Sequence, residues 1–205
     1  MLMPKPEAEI LAQRGALLAD LRQIVSGEGV IADEVALRVY ESDGLSAYRQ
    51  TPMAVVLPDT VEQVAAIMRL CDQRNIKIVP RGAGTSLSGG ALPLEDGIIL
   101  GLGKFNQVLE IDYENRAVRV QPGVTNLGIS QAVDGQGFYY APDPSSQIAC
   151  SIGGNVAENA GGVHCLKYGV TTNNLLGLEM VLLSGEVIRL GGKHLDSGGY
   201  DLMGL

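Results

Sequence analysis

The chain has 205 residues, 46% of them hydrophobic, enough to bury a core and too many for a disordered polymer. Fifteen Lys and Arg against 23 Asp and Glu leave a formal charge of −8, and with only 2 Phe and no Trp for base stacking this excludes nucleic acid as an expected partner. The 27 glycines follow no collagen-like period and no internal repeat, which assigns them to turns and ligand loops.

In chain order, Ile10, Leu11, Leu17, Leu18, Leu21, Ile24 and Val25 recur on one helical face and predict a packing helix over 7–26, stopped by Gly27. A shorter helix is expected over 33–40, ending near Gly44, and Pro52 sets an extended lead-in at 48–52. Residues 53–57 read as a strand. Thr60 and Gln63 then form a capping box for a helix that buries Val61, Val64, Ala65, Met68 and Cys71 and stops at Asn75. The apolar run 76–79 returns as a strand, completing a β-α-β unit, and Cys71 on the apolar face reads as core rather than redox-active. Strands follow at 97–102, 108–112 and 117–121, the last two joined by a turn at Asn115 and Arg116. Thr125 caps a short helix carrying Leu127 and Val133 before Gly135. Residues 176–183 and 187–190 flank Ser184, Gly185 and Glu186 as a hairpin. Strands with few helices, in two batches on either side of about Leu109, predict an α+β architecture of two small lobes with a ligand between them.

Cys71, Cys150 and Cys165 are odd in number and contain no C-x-x-C pair, so neither a disulfide framework nor a zinc ribbon is indicated and a reducing cytoplasm fits. The N-terminal residues 1–7 hold no apolar signal region, and no stretch approaches the length needed to span a bilayer. Membrane contact is therefore expected only through partners.

Two glycine-rich stretches carry the chemistry. The first, Arg81-Gly82-Ala83-Gly84-Thr85-Ser86-Leu87-Ser88-Gly89-Gly90, leaves the strand at 76–79 through Pro80 and can turn several N–H groups into one concavity suited to phosphate oxygens. It is not a P-loop, because Ala91 and Leu92 follow the last glycine where Lys and Ser/Thr are required. It is a poor dinucleotide fingerprint too, with Leu87 at the third glycine position and no immediate helix. The second stretch, 142–162, holds the glycine pairs 153–154 and 161–162 among small hydroxyl and amide side chains.

In this order, the paired motifs resemble the FAD-binding domain of the vanillyl-alcohol oxidase and p-cresol methylhydroxylase family from about Thr51 onward. They are closest to its 2-hydroxyacid-oxidising branch, which includes the FAD-linked subunits of glycolate oxidases and the D-lactate and D-2-hydroxyglutarate dehydrogenases. The resemblance implies a two-lobed FAD-binding domain over 51–205 after an N-terminal helical segment, 1–50. It implies that Pro80, Arg81, Gly82, Ala83, Gly84, Thr85, Ser86 and Leu87 cradle the FAD diphosphate, mainly by backbone N–H groups, with the Thr85 and Ser86 hydroxyls assisting. It also places Pro142, Ser145, Cys150, Ser151, Gly153, Gly154, Glu158, Asn159, Ala160 and Gly161 beside the ribose, diphosphate and isoalloxazine ring. Some relatives attach the flavin through a histidine in the first loop; the corresponding position here is Thr85, which implies noncovalent FAD.

The activity implied is oxidation of a small 2-hydroxy acid, glycolate to glyoxylate foremost, with electrons passed to an iron-sulfur subunit and a second flavin subunit of a multi-subunit oxidase. The implied location is the cytoplasm, or the inner membrane face through those partners. A nicotinamide-using enolpyruvyl-sugar reductase of the same fold and a binding module without catalysis are the alternatives. The family's next FAD-contacting segment and its substrate domain follow what is here Leu205, so the sequence is expected to be the N-terminal part of a longer chain, inactive alone and without an assignable catalytic base. His164, beside Cys165 and near Cys150, reads as a satisfied polar ring rather than a metal ligand, and His194 as an exposed loop residue. Asp143 and Glu158 are candidates for a carboxylate pair but more plainly cap turns.

Overall fold

Short runs of Val and Ile build the first sheet, as expected where strands are covered on both faces and their sequences read as continuous apolar runs. The computed structural model describes residues 3–193 and 199–204. They fall into two units, Met1–Lys104 with Val181–Glu186, and Phe105–Met180 with Val187–Leu205. The α+β class holds.

The first unit contains helices α1 (Ala8–Leu11) and α2 (Arg14–Ile24), strand β1 (Val30–Ile31), helix α3 (Glu34–Leu37), strand β2 (Ala54–Val56), helix α4 (Val61–Gln73) and strands β3 (Lys77–Arg81) and β4 (Gly97–Gly101). The sheet order is β1-β2-β4-β3, with β4 parallel to both neighbours and β1 antiparallel to β2. The β-α-β unit of β2, α4 and β3 is therefore present, with β4 inserted between its two strands. Every residue of β2 and β4 is buried, and Leu37, Val55 and Ile99 form a cluster joined by Ile31, Tyr40 and Leu57. Helix α2 packs on α4, where Arg74 pairs with Asp20. The first 50 residues thus share the core of this unit.

The single helix expected over 7–26 is two, because at Gln13 the chain tightens to an N–H bond on Ile10 only three residues back. Arg14, just beyond that step, donates to the carbonyls of Met53 and Ala32. The expected helix over 33–40 is α3, capped by the Asp33 carboxylate, followed by a 3-10 turn over Arg38–Tyr40. In α4 the Thr60 hydroxyl accepts from the Gln63 N–H, but the Gln63 side chain reaches Asp59 rather than Thr60. Ile67 is fully buried where Met68 was expected. Asn75 ends this segment in the left-handed region, φ 55°, a position that Asn tolerates.

The second unit contains an antiparallel pair, β5 (Val108–Asp112) and β6 (Ala117–Val120), bulged between Val108 and Glu110, then helices α5 (Asn126–Val133), α6 (Ile152–Glu158) and α7 (Cys165–Tyr168), and the hairpin β7 (Gly177–Val181) and β8 (Val187–Gly191). Val124, Ile129 and Ile152 form its core cluster, with Val118, Val120 and Tyr140 against them. The Thr125 hydroxyl caps α5 as expected. Helices α6 and α7 fall inside and just after the second glycine stretch, where no helix was expected. Two glycines at the start of α6 lower its intrinsic propensity, and the tertiary context overrides that: Gly153 donates to the Pro122 carbonyl and lies where a Cβ would meet the Pro122 ring at 2.7 Å.

Ile99→Ala at the centre of the first sheet is expected to lower unfolding stability by about 2–5 kcal/mol, while Val187→Ala, at an exposed position, changes it by less than about 1 kcal/mol. Urea denaturation of the two variants checks this; equal losses would contradict the placement of the core.

Candidate functional site

Strand β3 ends at Arg81 and releases the first glycine loop. The Arg81 carbonyl still accepts from the Leu102 N–H, so the loop leaves from a fixed point. Gly84 and Gly89 have φ of 67° and 79°, in the left-handed region where glycine carries no side-chain penalty. Gly82, Ala83 and Leu87 are exposed, and Thr85 and Ser86 half-buried. The Ser86 hydroxyl accepts from the Ser88 N–H at 3.0 Å.

The orientation of the loop follows from its contact with residue 44. The Gly44 N–H donates to the Gly84 carbonyl at 2.9 Å. A Cβ on Gly44 would lie 2.5 Å from the Ser86 carbonyl oxygen and 2.8 Å from that of Thr85. Three consecutive carbonyls therefore converge on Gly44. In a trans peptide the C=O and N–H point in opposite directions, so the N–H groups of Thr85, Ser86 and Leu87 are turned the other way. The backbone N–H groups of Gly82, Ala83, Gly84, Thr85 and Leu87 donate to no acceptor among the described residues. Such a row of oriented amides has the donor geometry that suits an anion.

The side chain of Arg81, expected as a cofactor contact, reaches back to residues 40–42. Its guanidinium donates to the Tyr40 carbonyl at 3.0 Å and the Ser42 carbonyl at 2.6 Å and lies 5.9 Å from the centre of the Tyr40 ring. Burial lowers its pKa, opposed by the charge of Asp43 and by Tyr40. Tyr40, Ser42, Asp43 and Gly44 were missed in the sequence, where Gly44 read only as a helix end.

The second stretch belongs to the other unit. The buried Asn126 amide donates to the Pro142 carbonyl at 3.0 Å. Ser145 is exposed, and Cys150 is buried with its N–H on the Ser146 carbonyl. Ser151 is buried, bridges to Thr125 and precedes α6; Gly154 and Glu158 are exposed. Asn159 ends α6 at φ 51°, its side-chain oxygen accepting from both the N–H and the hydroxyl of Thr172. The Ala160 carbonyl takes the Thr171 N–H and hydroxyl, and Gly161 lies against Val170. Gly162 packs on Asp143, where no Cβ fits. Beneath this stretch the Asn126 Oδ1 and Asn155 Nδ2 atoms are buried without partners. Asn155 lies in the second stretch, but the sequence singled out neither amide, because burial without a partner is not visible in the residue type.

His164 Nδ1 lies 2.6 Å from Asp143 Oδ2, and the His164 N–H also reaches this carboxylate. The ring is satisfied, as expected, but its side chain is 65% exposed. This hydrogen bond from His164 lowers the pKa of Asp143. Tyr168 meets Tyr139 edge-on at 6.4 Å and lies under Lys167; the hydrogen bond from Tyr139, then Lys167, lower its pKa. All three cysteines are free, and burial pushes the Cys71 thiol up to about 12, consistent with a core role. Among the described residues no group of three His, Cys, Asp or Glu side chains is placed to hold a metal ion. None of their helices is long and apolar enough to cross a membrane. His194 lies outside the described residues.

Residues 52–191, carrying both glycine stretches, match the family described as FAD binding domain. The chain belongs to this family. This FAD-binding domain is 56% identical over 192 residues to the glycolate oxidase subunit GlcD of Escherichia coli, covering 94% of this chain and 38% of that protein. It is 46% identical over 180 residues to the glycolate oxidase subunit GlcD of Bacillus subtilis, covering 87% of this chain and 38% of that one. The solved structure of p-cresol methylhydroxylase with substrate bound has the same fold at TM-score 0.76 and 22% identity, covering 98% of this chain and 40% of that one. The chain therefore spans less than half the length of these relatives.

The depressed pKa of Asp143 means that its pairing contributes stability above the ordinary carboxylate pKa of about 3.9, lost as pH falls through the lower folded value. His164→Gln is expected to return the Asp143 titration toward that ordinary value. Carboxyl-carbon NMR titration checks it; an unchanged titration would show that His164 is not the cause.

Proposed function

We propose that this chain is the FAD-binding part of a flavoprotein that oxidises a small 2-hydroxy acid, glycolate foremost, to the 2-oxo acid, and that hands the electrons to a partner subunit. The observation that carries the reading is the 56% identity to a glycolate oxidase subunit across 94% of the chain, on a domain of the FAD-binding family. The name of that relative, a subunit, supports a multi-subunit assembly. In this reading the electrons pass to an iron-sulfur subunit and a second flavin subunit, in the cytoplasm or at the inner membrane face.

The residues present fit FAD. The amide row turned out by residues 84–87 suits a diphosphate in a protein of net charge −8, because oriented N–H groups supply positive potential without a basic patch. The unpartnered Asn126 Oδ1 and Asn155 Nδ2 offer a buried acceptor and donor to polar atoms of a ligand at the second stretch. Within that reading, Pro80 and residues 82–87 hold the diphosphate, and Pro142, Ser145, Cys150, Ser151, Gly153, Gly154 and 158–161 line the remainder. Thr85 offers no imidazole, which favours noncovalent attachment.

When bound, FAD supplies an acceptor for the hydride leaving the hydroxyl-bearing carbon. Glycolate loses that hydride and its hydroxyl proton to become glyoxylate, so a base and a cation for the carboxylate are also required. Those groups belong, in this reading, to the part of the relatives that this chain does not cover. What residues 1–205 do is bind and orient the cofactor.

The full-length protein is expected to purify yellow, to bleach with glycolate under anaerobic conditions, and to release its flavin into the supernatant on acid precipitation. Bleaching by D-lactate or D-2-hydroxyglutarate but not glycolate would reassign the substrate. A yellow pellet would contradict noncovalent attachment.

A further inference from the structure

We propose that Arg81 is a positioning residue which clamps residues 40–44 onto the first glycine loop and so sets the geometry of its amide row, without itself contacting the diphosphate. The inference rests on the reading of this loop as an FAD site. It concerns a segment, 40–44, that precedes the 52–191 span of the family match.

Four observations in the first unit support it. Two of the five guanidinium N–H donors, one on each terminal nitrogen, are committed to the carbonyls of Tyr40 and Ser42, and the cation lies over the Tyr40 ring. The Tyr40 ring is itself packed against the core cluster of Leu37, Val55 and Ile99, so the clamp is anchored in the sheet. A Cβ on Gly84 would meet Arg81 Nη2, Nε and Cζ at 2.6, 2.7 and 2.9 Å, so the guanidinium fills the space beside the left-handed turn. Asp43, 8% exposed, holds the Leu45 N–H at 2.8 Å through Oδ1, keeps Oδ2 without a partner, and opposes by its charge the desolvation of Arg81.

The consequence is geometric. Residue 44 meets three successive loop carbonyls, and Arg81 fixes the two carbonyls that precede it in the strap, those of Tyr40 and Ser42. Releasing the strap frees the peptide planes 84–87 to rotate, and the amide row loses its common direction. A lysine cannot replace the clamp, since a single ammonium lacks the planar fork that spans two carbonyls while bearing an ion over a ring. A phosphate ligand would behave differently, because an ammonium still serves as a point charge there.

The test compares Arg81→Ala, Arg81→Lys and Gly44→Ala with the unaltered full-length protein. FAD binding to the apoprotein is titrated at several salt concentrations, and hydrogen exchange of the apoprotein is followed in the peptide covering 40–50, where the Gly44 N–H is bonded to the Gly84 carbonyl and the Leu45 N–H to Asp43. The clamp predicts faster exchange in this peptide for all three variants, with the rest of the chain unchanged. It also predicts at least a tenfold loss of FAD affinity in each, no rescue by lysine, and an unaltered salt slope. Rescue of affinity by Arg81→Lys, or a shallower salt slope in Arg81→Ala, would make Arg81 a phosphate ligand and overturn the proposal. Unchanged exchange at 40–50 would overturn it as well. If the unaltered protein binds no FAD, the cofactor reading fails, and the exchange data still decide whether Arg81 is a clamp.

Discussion

The site depends on one close contact: residue 44 must be small enough to let the carbonyls of residues 84–86 converge on it. Peptide planarity then does the rest, since carbonyls gathered on one side send the following N–H groups to the other. The sheet of the first unit places the two segments that meet there. The β4 strand between β2 and β3 fixes where the chain leaves β3, and Leu37, Val55 and Ile99 fix the Tyr40 segment that carries the strap. Gly84, at φ 67°, lets the chain turn where Arg81 fills the adjoining space.

On the proposed reading, this arrangement is how an acidic protein takes a doubly charged group. A basic patch would have to overcome the field of a chain carrying −8, and its long side chains would lose conformational freedom on binding. Backbone amides in a fixed loop have already lost that freedom in the folded apoprotein. In the proposed clamp, Arg81 supports the loop from its bonds to two carbonyls rather than competing for the ligand.

The sequence made the α+β class, the helix α4 with its cap, most strands and both glycine stretches legible, because each rests on local rules: apolar periodicity, a Thr at the cap, glycine where φ turns positive. What it hid depends on tertiary contact. The break at Gln13 and the helical state of 152–158 run against simple periodicity and propensity, the latter because Gly153 is needed against Pro122. The strap at 40–44 was invisible because a glycine required by another segment's carbonyls looks the same in sequence as a glycine that ends a helix. Asn126 and Asn155 were hidden for a similar reason, since burial without a partner is not a property of the residue type.

The central claim is that the diphosphate, held by oriented amides, provides much of the cofactor's affinity. Titrating the apoprotein with FAD and with riboflavin, which shares the ring system but has no phosphate, tests it most directly. Two charge-assisted amide bonds at about 1.5 kcal/mol each correspond to a difference of about a hundredfold, so FAD should bind at least that much more tightly. Riboflavin binding as tightly as FAD would show that the ring pocket alone holds the cofactor and that the amide row at 84–87 is not its anchor.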